Sequence, residues 1–310
     1  MKYVLAIDQG TSSSRAIVFD DAGNPVGEGS CPFDQIFPHD GWVEQDPEVI
    51  WSTTLKAARD AIASSPVEAA GIDAIGITNQ RETTLLWDAE SGQPVHSAIV
   101  WQDRRTAERC VQMQSDGMAT TISQITGLVI DPYFSSTKVE WLLREPDTQR
   151  LARAGRLRFG TVDSFLVWRL TGGRTHATDA TNAARTQLFD ITRQDWSDIL
   201  LDYFEIPASL LPEVKDCVAD YGRSEAQWFG AEIPIFGIAG DQQAALIGQG
   251  CISSGMVKST YGTGCFVMAN TGAKRVESTT GLLTTVAYRI DGRTTFATEG
   301  SIFSAGVAVK

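Results

Sequence analysis

The 310-residue sequence predicts an α/β protein of two domains, and three observations lead there. Short apolar runs rich in Val and Ile alternate with stretches of helical periodicity. Two segments, 4–19 and 257–272, each read as strand, Gly/Thr turn, strand. Three apolar runs end in charged residues, at Asp8, at Arg81 with Glu82, and at Asp241. Open α/β sheets gather ligands outside such carboxyl ends of strands.

In chain order, "YVLAID" and "RAIVFD" are β-rich, and "DDAGNPVG" supplies turn residues before a third strand at 26–31. A helix follows in "DPEVIWSTTLKAARDAIASS", with Asp46 as N-cap and Pro47 at the first helical position. "IDAIGIT" reads as a buried strand, and helices are expected near 104–115, 137–145 and 161–171. Thr161 or Asp163 is the expected cap of the last of these. "IPIFGIAG" forms another strand and runs through Asp241 into the helix-like "QQAALIGQG". Antiparallel strands close the chain, and the domain boundary falls near Gly250, giving domains of 1–250 and 251–310.

Composition narrows the function. Lys and Arg number 26 against 38 Asp and Glu, a formal net charge of −12, which disfavours nonspecific nucleic-acid or anionic-membrane binding. No apolar run approaches the roughly 18 residues of a membrane span. Five scattered cysteines without a CxxC fit thiols in a reducing cytoplasm, and three isolated histidines give no transition-metal pattern.

The segment "AIDQGTSSSRAIVFD" has the parts of a phosphate cradle. Gly10 opens the backbone, Thr11, Ser12, Ser13 and Ser14 offer short hydroxyls, and Arg15 adds a cation. Asp8 is placed to hold a hydrated Mg²⁺. Taken alone, the loop reads equally well as a polar hairpin turn. It gains weight from Arg81, Glu82, Asp241 and Gln242, which lie at or just beyond other strand ends. Phosphoryl transfer to a hydroxyl suits such a cleft, since it rests on positioning and charge. Asp241 is then the base, Arg81 donates to an oxygen, and Glu82 and Gln242 anchor further hydroxyls. Trp101, Tyr133 and Phe266 offer aromatic faces for the carbon edge of a small polyol, although a lone aromatic is ordinarily core. "WQDRR" reads as a structural salt-bridge turn, and Trp51, Phe165, Trp141 and Trp168 as core.

Nine ordered stretches, among them "AIDQGTSSSRAIVFD", "ITNQRETTLLWD", "AIVWQDRR", "GLVIDPYFSSTK", "GIAGDQQAALIGQ" and "STYGTGCFVMANTG", resemble the FGGY carbohydrate kinases, and within them the glycerol kinase branch. The resemblance runs over residues 2–310. It implies a ribonuclease-H-like, actin-type ATPase fold whose two domains enclose ATP and substrate. It also implies ATP- and Mg²⁺-dependent phosphorylation of glycerol to sn-glycerol 3-phosphate in the cytoplasm, with no nucleic-acid partner and a homo-oligomer compatible with the family. Carried onto this chain, the phosphate loop is Thr11, Ser12 and Ser13 with Arg15 nearby, and Asp8 is the acid linked to magnesium through water. The glycerol contacts are Arg81, Glu82, Tyr133, Asp241 and Gln242, with Trp101 and Phe266 lining the pocket and Asp241 as base. Nucleotide contacts in the second domain fall on Thr263, Gly306 and Lys310.

The alternatives are a kinase of another small polyol or pentulose, an inactive fragment, and an actin-like ATP-binding module. Two departures from the family pattern matter. "EAQWFGAEIPI" places Glu232 where a fructose 1,6-bisphosphate site of some bacterial relatives wants a cation, so no tight site is expected there. Family members run to about 500 residues, consistent with two full domains, so the second domain is expected to be incomplete.

Overall fold

The computed structural model describes residues 2–261, 265–278 and 280–302. The first sheet has five strands, β1 (Tyr3–Gln9), β2 (Ser13–Asp20), β3 (Pro25–Pro32), β4 (Ala74–Asn79) and β5 (Ile235–Gly240). Their order is β3-β2-β1-β4-β5. β1 to β3 form an antiparallel meander, whereas β4 runs parallel to β1 and β5 parallel to β4. This is the ribonuclease-H-like layout, with antiparallel hairpins beside a parallel core. The three parallel strands deliver Gln9, Asn79 and Gly240 to the same edge of the sheet.

Helix α1 (Pro47–Ala63) begins as the sequence predicts: Asp46 caps it by accepting from Glu48 N at 2.8 Å, with Pro47 at N1. It lies flat on β2 and β3 because Gly27 and Gly29 lack side chains. A Cβ there would stand 2.3 Å from Ala61 O and 2.1 Å from Ala57 O. Ala57, Ala58 and Ala61 fill this contact. Leu5, Ile7, Ile75, Ile77, Ile235 and Ile238 of the sheet share a core with Ile50 and Trp51 of α1. Phe165 and Leu166 of α3 (Val162–Leu170) belong to it too. Alternation along β1 turns Leu5 and Ile7 into this core and sends Asp8 to the opposite, open face.

Two further helices serve the site from below, α2 (Ser135–Leu142) and the single-turn α4 (Ala180–Ala183). α5 (Asp241–Gly248) starts directly at the end of β5. A second sheet follows, antiparallel throughout, from β6 (Val257–Tyr261), β7 (Cys265–Gly272), β8 (Leu283–Ile290) and β9 (Arg293–Ile302), in the order β6-β7-β9-β8. Trp101, Tyr133 and Phe134 pack against Phe266 and Leu283 of this sheet, which joins it to the first part of the chain.

The structure revises some local expectations. Thr161 occupies the N-cap position of α3 without capping it, because its hydroxyl donates to Asp163 Oδ1 at 2.5 Å. Short helices also form at Ala119–Thr126, Pro146–Arg153 and Asp198–Tyr203, beyond those the sequence places. Within "WQDRR", Asp103 and Arg105 pair at 2.8 Å, and Arg105 also reaches Glu44 and stacks 3.8 Å over Trp42, so this turn is structural as expected. The five cysteines are free thiols.

Candidate functional site

The 10–13 turn is closed by Gly10 N donating to Ser13 O at 2.9 Å. Three buried amides hold it from beneath. Gln80 Nε2 donates to Gln9 Oε1 at 3.0 Å and Gln45 Oε1 at 2.8 Å, and Gln45 Nε2 donates to Thr11 O at 2.8 Å. Trp101 Nε1 donates to Thr11 Oγ1 at 3.0 Å, tying the turn to the aromatic wall. Sequence reasoning missed Gln9, Gln45 and Gln80, although each stands within or beside a quoted motif. It also assigned Ser14 to the cradle, whereas that hydroxyl is buried against Thr53 and Thr54 of α1. Arg15 stands opposite Asp8 across the β1–β2 ladder, but its guanidinium turns to Glu28 at 2.7 Å. Asp8 itself is open to solvent, yet enclosure by its surroundings and the charge of Asp241 raise its pKa to about 6 against the pull of Arg15.

Beyond β4 the chain turns sharply, with Thr83 N donating to Arg81 O at 2.7 Å and Glu82 in the left-handed region at φ 61°. Such a conformation is uncommon for a non-glycine residue and gathers at functional sites. Glu82 O accepts from Ser135 Oγ at 2.9 Å, at the start of α2. Its carboxylate takes Arg185 Nε at 2.6 Å.

Arg81 is almost fully buried and both terminal nitrogens of its guanidinium are held by hydrogen bonds. Glu299 of β9 accepts Nη1 at 2.7 Å and Nη2 at 2.9 Å, a bidentate pair. Arg81 Nε lies 3.2 Å from Asp241 Oδ1, and Nη2 donates to Tyr133 OH at 3.4 Å. Arg185 also donates to Glu299, at 3.2 Å. Burial alone would raise the Glu299 pKa, but Arg185 and Arg81 outweigh it and hold the carboxyl at about 2. For Glu82, with its single short bond to Arg185, burial wins and the shift is upward. Glu299 is the main residue that sequence reasoning missed. Gly240 belongs to the same design: a Cβ there would stand 2.7 Å from Arg81 Cδ and 2.8 Å from Cγ, so only glycine lets the arginine pass.

Asp241 opens α5 and is 38% exposed in its side chain, the most accessible carboxylate of the group. Gln242 Nε2 donates to Asp241 Oδ2 at 3.1 Å. Trp101 packs edge-on to Tyr133 and to Phe266, with ring centroids 5.7 and 6.1 Å apart. All of these side chains meet at one cavity of about 210 Å³, lined by Thr11, Ser12, Arg81, Glu82, Trp101, Tyr133, Asp241, Gln242 and Phe266, with Gln80 and Thr260. Drug-sized ligands occupy roughly 300–1,000 Å³, so this cavity suits something smaller. A wider groove of about 460 Å³ shares Tyr133 with it and also reaches Glu299, but its wall is mostly apolar and lacks the converging donors. The structure thus brings together every predicted polyol contact and the Thr11–Ser12 edge of the loop. Thr263, Gly306 and Lys310 lie outside the described residues.

Among the described residues, no three His, Cys, Asp or Glu side chains gather into a metal cage. Asp8 and Asp241 are the mutually repelling carboxylates available to a divalent cation, and the upward shift of Asp8 is what such a cation would relieve. No described helix is long and apolar enough to cross a membrane.

The comparisons with known proteins agree with this geometry. The profile of the FGGY family of carbohydrate kinases, N-terminal domain, matches residues 3–248. A glycerol kinase from Ectopseudomonas mendocina is 61% identical over 310 residues, all of this chain and 63% of that protein. Glycerol kinase 1 of Pseudomonas aeruginosa is 62% identical over 99% of this chain and 63% of its own length. The crystal structure of Plasmodium falciparum glycerol kinase with ADP superposes with a TM-score of 0.94 at 36% identity, covering 100% of this chain and 62% of that one. A gluconate kinase from Lactobacillus acidophilus shares the fold at a TM-score of 0.88 and 21% identity, over 99% of this chain and 61% of its own. The chain therefore spans about 63% of the length of the curated relatives it matches. With its sheet order, its strand-end charges and the match over 3–248 in agreement, the chain belongs to the FGGY family of carbohydrate kinases.

Proposed function

We propose that this chain carries the acceptor site and the first phosphate loop of an ATP-dependent glycerol kinase. The observation that supports this most is the cavity of about 210 Å³ in which Arg81, Glu82, Asp241 and Gln242 converge under an aromatic wall. A three-carbon polyol offers an apolar edge to Trp101 and Phe266 and hydroxyls to the charged side. Arg81 donates to one hydroxyl oxygen, while Glu82 and Gln242 hold others. Asp241 takes the proton of the terminal hydroxyl as its oxygen attacks the γ-phosphorus of ATP, and ADP leaves with the former bridging oxygen. Thr11 and Ser12 at the cavity edge stand on the phosphate side. Ser13 completes that turn, and Arg15 reaches a phosphate only by leaving Glu28.

Asp8, aided by Asp241, is the residue to hold Mg²⁺ through water, and the ion would neutralise phosphate charge. The first domain is taken to end near Gly250. Thr263, Gly306 and Lys310 remain the proposed nucleotide contacts of the second. The compartment is taken as the cytoplasm, with which free, mostly buried thiols are consistent.

The test is ADP release by the 310-residue chain with MgATP, comparing glycerol with a pentulose. Release that depends on glycerol and ignores the pentulose is expected. Turnover with the pentulose alone would contradict the acceptor assignment.

A further inference from the structure

Lys258 lies near the middle of β6, only 4% exposed, where a strand of the second sheet meets the substrate cavity. Thr260, two residues on, shares its face of the strand and lines the cavity. Lys258 Nζ donates to Gln242 Oε1 and, at 2.9 Å, to Thr260 Oγ1. The other end of the Gln242 side chain, Nε2, donates to Asp241 Oδ2 at 3.1 Å. An ammonium only donates and a carboxylate only accepts, whereas a primary amide does one at each end. Between these two neighbours only one of the two amide orientations satisfies both.

We infer that Lys258 is a positioning residue of the substrate site, fixing the Gln242 amide so that its N–H₂ faces the Asp241 carboxylate. The inference rests on the reading of Gln242 as a polyol contact and Asp241 as the base. A methionine would fill nearly the same space without the cost of burying a charge, so packing alone does not account for a lysine here. Asp241, Glu299 and Cys251 favour the charged form of Lys258, while burial and then Arg81 oppose it and bring its pKa to about 8. The strut therefore weakens as pH rises through that value.

The experiment follows the Gln242 side-chain amide by ¹⁵N NMR in the unmutated chain and in Lys258→Met, alongside a glycerol titration of each. In the unmutated chain the Gln242 amide protons are protected at pH 7, exchanging well below the intrinsic hydroxide-catalysed rate of a free side-chain amide at the same pH, and that protection falls above pH 8. In Lys258→Met they exchange fast at both pH values, and glycerol binds roughly tenfold more weakly, as expected when a buried carbonyl loses its donor. Lys258→Arg, which keeps its charge, is expected to remove the alkaline change. If Lys258→Met folds with the same thermal midpoint and the Gln242 amide stays protected, the inference is overturned. A glycerol titration without response in the unmutated chain is a separate failure, of the substrate reading, and the amide measurement decides the role of Lys258 in either case.

Discussion

Glu299→Gln removes one negative charge from a buried quartet in which Arg81 and Arg185 balance Glu82 and Glu299. All four side chains are nearly inaccessible to solvent, so water does not screen the imbalance. Two routes give the magnitude. The Glu299 pKa falls from 4.5 to about 2. At about 1.4 kcal/mol per unit, that is roughly 3 kcal/mol of stability held at neutral pH. Breaking a buried ion pair by removing one partner costs about 3–5 kcal/mol, in agreement. At about 2–4 °C per kcal/mol for a protein somewhat smaller than this one, the thermal midpoint should drop by roughly 6–12 °C at pH 7. The sign with pH follows from the lowered value. The contribution is complete above pH 4.5 and is lost as pH falls towards 2, so the difference between the two proteins should shrink in acid. Paired thermal melts from pH 3 to pH 7 make the comparison. A midpoint unchanged at pH 7, or a gap that widens in acid, would show that the Glu299 charge does not stabilise the fold.

Three other perturbations probe separate parts of the molecule. On the proposed function, and in a chain of the relatives' full length, Asp241→Asn should lower glycerol phosphorylation by roughly 10²–10⁴-fold, the usual contribution of a general base, while glycerol binding by calorimetry stays within a few-fold; near-normal turnover would remove Asp241 from that role. Gly240→Ala drives a methyl into the Arg81 side chain, so it should weaken glycerol binding at least tenfold and cost about 1–3 kcal/mol of stability, read by urea titration. Burial and then Asp179 raise Asp163 to about 7, against the hydrogen bonds from Thr161 and Thr178. Its buried charge therefore destabilises the fold progressively as pH rises from its unfolded value of 3.8 to about 7. Asp163→Asn should raise the thermal midpoint at pH 8.5 relative to the parent and change it little near pH 4, with both melts run side by side.

Much of the site was legible because its residues sit where local signals are strong. The β1–β2 hairpin announces itself through Val and Ile on both sides of Gly10, and the Asp8, Arg81 and Asp241 positions through apolar runs that stop at a charge. The aromatic wall was legible as three rings beside polar turns and gained weight from the motif resemblance, since Trp101 or Phe266 alone reads as core. Glu299 and Lys258 were not legible at all. In "TFATEGS" and "MVKSTY" each occupies a position that alternation would send to solvent, and their burial depends on a sheet packing against residues far away in sequence. Arg185 hides likewise in "NAARTQ", two residues past the helical turn that Asp179 caps. The cradle amides escaped notice because glutamine carries no pattern of its own, and Ser14 was misassigned because strand alternation turns it towards α1. Helices of six to eight residues, such as Asp198–Tyr203, are too short for periodicity to reveal.

The proposed function requires the cavity under Arg81 to accept glycerol. Its most direct test is a calorimetric titration of the 310-residue chain with glycerol and with a pentulose, repeated on Arg81→Ala. Saturable glycerol binding that disappears in Arg81→Ala, with no response to the pentulose, is the expected result. Binding of the pentulose in place of glycerol, or glycerol binding untouched by the loss of Arg81, would contradict it.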